Sequence, residues 1–371
     1  MAGARFVLHG LPVSVETDDP SLAAFVRAHF ETHQGADAAA ELAVRASWRW
    51  NEPAAVPALP MGTVGSKAGR GLTLAVHPGE ERVAHALWTR VPGFPELSLS
   101  YSLAGEAAPR LTVDAVCSYV PRGLGRRLEY LRPVRVERKR DRLFFKLMYF
   151  AVYYPLAWSL RRGRGWGMVH ASALALPSGG AVLLAGMGGV GKSTLGLSLL
   201  SRPGTRLLSD NLLFHDDHRV YSCPEPVRLD DMAVAGIAAS GIEMERSDLP
   251  ATAHPKPTYA VAPGLRAEAA PPAALFFLRA GGVPGVEPIE AGTAAELLAA
   301  GNDLAREIED YRPCAALLDT LAATRGRPAA SPPASLSRLL ERTRCAVFTR
   351  GESESVAQTA ARLAEAMERA T

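Results

Sequence analysis

Ala181-Val182-Leu183-Leu184-Ala185-Gly186-Met187-Gly188-Gly189-Val190-Gly191-Lys192-Ser193-Thr194 reads as an apolar strand, a glycine-rich loop and the start of a helix. From Gly186 it fits G-x-x-x-x-G-K-[ST], the loop that cradles phosphate groups. Glycine tolerates positive φ and close backbone approach, so Gly186, Gly188, Gly189 and Gly191 can turn successive N–H groups toward phosphate oxygens. A helix opening near Lys192 adds the partial positive charge of its first turn. The expected cradle runs from Gly186 through Met187, Val190 and Lys192 to Thr194. Lys192 would reach the β- and γ-phosphates and Ser193 would complete a magnesium shell. The pattern thus calls for a nucleotide, ATP or GTP, and Mg2+, the metal arriving with the nucleotide, so that no carboxylate cage is required.

Working outward, Met168–Leu176 reads as a strand joined to Ala181–Ala185 through Pro177-Ser178-Gly179-Gly180. Beyond the loop, Leu195, Leu197, Leu199 and Leu200 set a helical pattern, and Arg202-Pro203-Gly204 marks a turn. Arg206–Asp210 is a short buried strand ending in a carboxylate. A hairpin follows, Leu212–Phe214 with Arg219–Cys223 around the turn Asp216-Asp217-His218. Two Pro/Ala-rich loops, 262–273 and 326–334, are expected to interrupt the carboxyl half. Between them lie a strand, Ala274–Leu278, and a helix opened by the capping box Thr293-Ala294-Ala295-Glu296. A strand, Cys345–Thr349, and an amphipathic helix bearing Val356, Leu363 and Met367 close the chain.

The amino half has a different texture. Residues 6–16 partly alternate and read as one or two strands, and Asp19-Pro20 reads as an N-cap with proline at the first helical position. That helix places Leu22, Phe25, Val26 and Phe30 on one face. Alternating runs at 41–50, 71–77, 83–90, 97–103 and 110–117 complete a strand-rich α+β module whose Trp48, Trp50 and Trp88 suit a core or an interface. A basic stretch follows (Arg126, Arg127, Arg132, Arg135, Arg138, Lys139, Arg140, Arg142); it could meet an acidic partner or a membrane surface, but the interspersed Glu129, Glu137 and Asp141 favour a solvated connector. Leu143–Leu160 is the most apolar run of the chain. Lys146 inside it, Pro155 within it and arginines at both ends argue for a buried or interfacial helix rather than a membrane span. The expected organisation is an N-terminal α+β domain over 1–140, a connecting apolar helix over 141–165 and an α/β phosphate-loop domain over 166–371.

At 371 residues the chain can bury about two cores. A net charge of +3 gives no ground for nucleic-acid binding. Cys117, Cys223, Cys314 and Cys345 lie far apart without metal-site spacing, which suits a reducing cytoplasm. The first residues show no secretory pattern, and the expected location is cytoplasmic. Whether the chain forms a homo-oligomer stays open.

Asp210 arrives soon after the glycine loop, after a single helix and strand. Together with Val169-His170-Ala171 before the loop and Leu208-Ser209-Asp210-Asn211 after it, this arrangement resembles the HPr kinase/phosphorylase-related family and, more distantly, the nucleotide site of ATP-dependent phosphoenolpyruvate carboxykinase. The resemblance covers about residues 165–225. It implies a mixed-sheet P-loop kinase domain and phosphoryl transfer from ATP to a serine or threonine hydroxyl of a protein or peptide, with Asp210 near the acceptor, His170 beside it, Lys192 on the phosphates, and Ser193, Asp210 and Asn211 around the metal. The family pattern has two adjacent aspartates where this chain has Asp210-Asn211, and an amide can hold magnesium but cannot act as a base. Met187-Gly188 also replaces the more usual acidic-serine pair. Arg228 and Lys256 are further candidates for stabilising the transferred phosphoryl, against a role as solvated loop charges. A small-molecule hydroxyl kinase and a non-catalytic ATP-binding regulator remain alternatives, because the glycine loop reads only the nucleotide.

Overall fold

The computed structural model of the chain describes residues 2–30, 33, 39–50, 72–76, 83–91, 94–104, 110–119, 133–324 and 334–370. Arg126, Arg127, Arg132 and nearly all of the 326–334 loop lie outside them, as do the side chains of Trp50 and Arg135. The architecture is mixed α/β, with both parallel and antiparallel pairings. Two compact units form: Met1–Ser159 with Asp248–Pro255 and Asp310–Ala330, and Leu160–Ser247 with Lys256–Glu309 and Ser331–Thr371.

In the first unit, β1 (Ala2–Leu8) and β2 (Leu11–Thr17) form a hairpin around His9 and Gly10, whose φ values of 50° and 73° match the strand twist. Asp19 caps α1 (Pro20–His29), its Oδ1 accepting the N–H groups of Ser21 and Leu22 at 2.7 and 3.1 Å. Leu22, Phe25, Val26 and Phe30 are buried as the periodicity requires, and Phe30 stacks on Phe6 at 4.1 Å. Five further strands follow: β3 (Leu42–Trp50), β4 (Leu72–Val76), β5 (Val83–Val91), β6 (Phe94–Ala104) and β7 (Arg110–Tyr119). They complete one sheet in the order β1-β2-β3-β7-β6-β5-β4, parallel from β2 through β3 to β7 and antiparallel elsewhere.

The apolar run is helical throughout: α2 (Pro133–Met148), a π-helical turn at Tyr149–Tyr153, and α3 (Tyr154–Arg164). In the wide turn, the Tyr154 N–H reaches back to the Tyr149 carbonyl, immediately before Pro155, which has no N–H to continue the α-helical ladder. Pro155 therefore widens the helix and does not end it. Glu137–Arg164 is long and apolar enough by length and composition to cross a bilayer, yet 89% of its apolar window is buried in the structure. Within the first unit its aromatic side chains pack on the sheet and α1. Phe144 meets Trp48 edge-on at 4.8 Å, Phe150 meets Trp88 at 5.5 Å, and the Tyr153 hydroxyl bonds His29 Nε2 at 2.8 Å. Lys146 lies over the rings of Phe94 and Tyr149.

The second unit begins with β8 (Gly167–His170), β9 (Ser172–Ala175), β10 (Ala181–Ala185), α4 (Lys192–Ser198), β11 (Arg206–Ser209) and β12 (Leu212–His215). Then come β13 (Val220–Ser222), β14 (Val227–Arg228), α5 (Asp231–Ala238), β15 (Glu245–Arg246), β16 (Thr258–Ala260), β17 (Ala269–Ala270), β18 (Pro272–Ala280) and β19 (Gly285–Ile289). The remaining elements are α6 (Ala291–Leu304), α8 (Leu336–Leu340), β20 (Arg344–Arg350) and α9 (Val356–Ala370), together with the first turn of α7 (Arg306–Thr324), whose residues from Asp310 onward belong to the first unit. The main sheet has the order β11-β9-β10-β18-β20-β19, with β10, β18 and β20 mutually parallel. β10 is buried on both faces, which explains its unbroken apolar sequence. Val182 and Leu184 pack with Leu195 and Leu197 of α4, Ile237 of α5 and Leu363 of α9. Ala181, Leu183 and Ala185 face Leu298 of α6, Leu340 of α8 and Leu213 of a second sheet, ordered β17-β13-β12-β8.

Three local expectations need correction. Met168–Leu176 is two strands, because β8 pairs with β12 in the second sheet while β9 pairs with β10 and β11 in the first. The helix expected from the Thr293 capping box starts earlier: Glu290 is its N-cap, without a side-chain bond, and Thr293 already lies inside the helix. The 262–273 segment is not a plain loop but holds a 3-10 turn at Pro263–Leu265, β17 and the start of β18.

Candidate active site

The glycine loop joins β10 to α4. Gly186 has φ 133°, and a Cβ there would stand 2.7 Å from the Leu278 carbonyl oxygen of the adjoining strand, so glycine is demanded twice, by conformation and by space. Gly191, at φ 99°, is the N-cap of α4, and its carbonyl accepts the Leu195 N–H at 2.9 Å. Lys192 is 8% exposed, and its ammonium donates back across the loop to the carbonyls of Gly186 (2.8 Å) and Met187 (3.2 Å). Burial lowers its pKa, opposed by the negative charges of Asp210 and Glu307. Met187, at the tip, is 67% exposed.

The other expected residues meet where the chain changes sheet. β9 and β11 are neighbours in the main sheet, β8 and β12 in the second. His170 ends β8, and Asp210-Asn211 is the whole connection between β11 and β12, so both crossings fall side by side, with Leu212 paired to His170. The carboxylate of Asp210 accepts the Ser193 hydroxyl. Its Oδ1 is sealed from solvent and has no hydrogen-bond partner. Burial raises the Asp210 pKa, against the Ser193 bond and the charges of Arg228, Lys192 and Lys256. A buried carboxylate so placed is a stronger base than one in water.

His170 is held by its backbone N–H, which donates to Asn302 Oδ1 of α6 at 2.8 Å, and its ring bonds the Asn211 side chain. Asn211 Nδ2 in turn donates to Glu225 Oε2 at 3.0 Å. Burial lowers the His170 pKa, reinforced by Lys192 and opposed by Glu307 and the Asn211 bond, favouring the neutral ring. Ser193 and Asp210 therefore form one pair, while the Asn211 amide is engaged at both ends with His170 and Glu225. Ser193 Oγ and the Asp210 oxygen that it bonds are hard donors that fit Mg2+ brought by a nucleotide, which leaves Oδ1 free. Among the described residues no group of three or more His, Cys, Asp or Glu side chains could hold a metal by itself.

A cleft of about 340 Å³ opens beside the loop, lined by Gly189 and Gly191 to Leu195 of the cradle and by residues of α5, β14 and β20. Its charged lining is Lys192, Arg228, Lys256 and Arg350 against one carboxylate, Asp230. Arg228 lies 3.6 Å from Glu307, and Lys256 lies 2.9 Å from Asp230. A surplus of cations beside a glycine cradle can take a polyanion. The Asp216-Asp217 pair stays a turn: Asp216 Oδ1 accepts the N–H groups of His218 and Arg219, each at 2.7 Å. Sequence reasoning misses Glu225, Asn302, Glu307 and Arg350, which reach the site from distant segments and carry no local motif. All four cysteines are free and buried. A scan against protein-family models finds no match to the chain, and a search of curated proteins finds none either.

Proposed function

We propose that the chain is an ATP-dependent phosphotransferase of the HPr kinase-like class, acting on a serine or threonine hydroxyl of a protein or peptide. The observation that carries this reading is Asp210: a buried carboxylate with one oxygen bonded to nothing, touching the Ser193 hydroxyl and within the field of Lys192 and Arg228. An acceptor hydroxyl beside Oδ1 would find the base that phosphoryl transfer to an alcohol uses. As the acceptor oxygen bonds the γ-phosphorus, the bond from that phosphorus to the bridging oxygen of ADP breaks, and the hydroxyl proton passes to Asp210. Loop N–H groups and Lys192 hold the phosphate chain, and Arg228 offsets charge on the transferred group. Ser193 and Asp210 would hold Mg2+, which neutralises phosphate charge when bound. His170, kept neutral, orients Asp210's surroundings through Asn211 and adds no charge to those of Lys192, Arg228 and Lys256.

The test is incubation of purified chain with γ-labelled ATP and a cell extract, with Asp210→Asn and Lys192→Ala in parallel. Label should enter a macromolecule with wild type and with neither variant. Label entering only small metabolites redirects the reading to a small-molecule kinase, and ATP binding without transfer to a regulator.

A further inference from the structure

Arg350 is the last residue of β20 and has no part in the chemistry above. β10, β18 and β20 run parallel, so the end of β20 emerges on the same edge of the sheet as the glycine loop. Carboxyl ends of parallel strands are where α/β sheets receive ligands. One guanidinium nitrogen of Arg350 lies 3.9 Å from where a Cβ on Gly191 would be, and the side chain lines the cleft with Lys192, Ser193 and Thr194.

Its Nε is a buried donor without a hydrogen-bond partner. A buried guanidinium nitrogen left unbonded is costly unless something fills its position. Glu354 feels the Arg350 charge, but its two oxygens are bonded to Arg362 at 2.9 Å each, and Oε2 also accepts the Gly351 N–H at 2.8 Å. Arg228 and Lys256 have carboxylates close by, and Lys192 rests on two carbonyls.

We propose that Arg350 is a phosphate ligand of this site, its fork closing on the nucleotide's polyphosphate chain beside Gly191. The inference rests on the nucleotide reading of the glycine loop. Two nitrogens of one guanidinium can bond two phosphate oxygens at once, which a lysine cannot reproduce.

Calorimetric titration of wild type, Arg350→Ala, Arg350→Lys and Lys192→Ala with Mg·ATP and with inorganic tripolyphosphate tests it, with melting curves showing that each variant is folded. Arg350→Ala should weaken both probes about ten- to hundredfold, and Arg350→Lys should recover part of that loss. Arg350→Lys also carries the test if the alanine variant does not fold, weakening both probes by a smaller factor. Unchanged affinity for both probes in Arg350→Ala, with Lys192→Ala impaired, overturns the Arg350 assignment alone. Weaker ATP binding with unchanged tripolyphosphate overturns it in favour of a contact to the base or ribose. If wild type binds neither probe, the nucleotide reading itself falls, and this inference with it.

Discussion

His170 and Asn211 are hydrogen-bonded to each other at the line where the two larger sheets of the second unit part. The bond continues from Asn211 to Glu225, so a single amide accepts on one side and donates on the other. An aspartate at position 211 could do only the first. Asparagine is, at this position, the residue type that its neighbours require.

Asn211→Asp should therefore destabilise the protein at neutral pH, because it sets a second carboxylate against Glu225 and removes the N–H that Glu225 accepts. The expected cost is about 1–3 kcal/mol. Adding Glu225→Gln restores a donor at that contact and should return most of the loss. Chemical denaturation of the two single variants and the double variant measures the coupling, and strictly additive effects would discard the proposed bond.

Lys192→Ala removes a contact to the phosphates, and phosphoryl transfer should fall by about a hundredfold or more. The fold should survive, since the ammonium bonds only two loop carbonyls. Single-turnover rates with labelled ATP, alongside circular dichroism, separate the two effects. Full turnover in the folded variant would end the kinase assignment.

Burial raises the Asp210 pKa on folding, so the folded chain holds that proton more tightly than the unfolded chain. Stability from this group is fully present below the ordinary carboxylate value of about 3.9 and is lost as pH rises through the raised one. Asp210→Asn should then match wild type at acid pH and melt a few degrees higher near neutrality, while losing transfer activity. Melting temperatures of both proteins across that range are the check; a difference that stays constant with pH contradicts the buried charge.

Gly186→Ala places a methyl group 2.7 Å from a backbone carbonyl at a φ of 133°. The strand behind it cannot give way, so a cost of about 1–3 kcal/mol is expected, with weakened nucleotide binding. Gly188→Ala is the companion: nothing lies within 4 Å of its would-be Cβ, and its stability should stay within about 0.5 kcal/mol of wild type. Equal melting temperatures for the two would refute the steric account of Gly186.

What could be read from the sequence follows the range of the interactions involved. Ala181–Ala185, the hairpin after Asn211 and the Asp19-Pro20 cap are local, set by periodicity and by bonds a few residues apart. The break at Ala171 was hidden because Met168–Leu176 is one continuous strand-like pattern, and only pairing with two different sheets divides it. Thr293 satisfied a capping pattern, but the preceding strand ends at Ile289 and starts the helix at Ala291, before that pattern could act. In the site, the cradle and Asp210 carry motifs. Glu225, Glu307 and Arg350 are ordinary charged residues until the fold sets them beside it.

The central place of β10 has a mechanical consequence. Bonded to β9 on one side and β18 on the other, it gives the glycine loop an anchored root, whereas Met232 on the cleft wall is 83% exposed. Any opening and closing around a bound molecule must fall to such outer walls. In hydrogen exchange, Leu183 and Leu184 should be among the last amides to trade, and the first turn of α5 among the earliest.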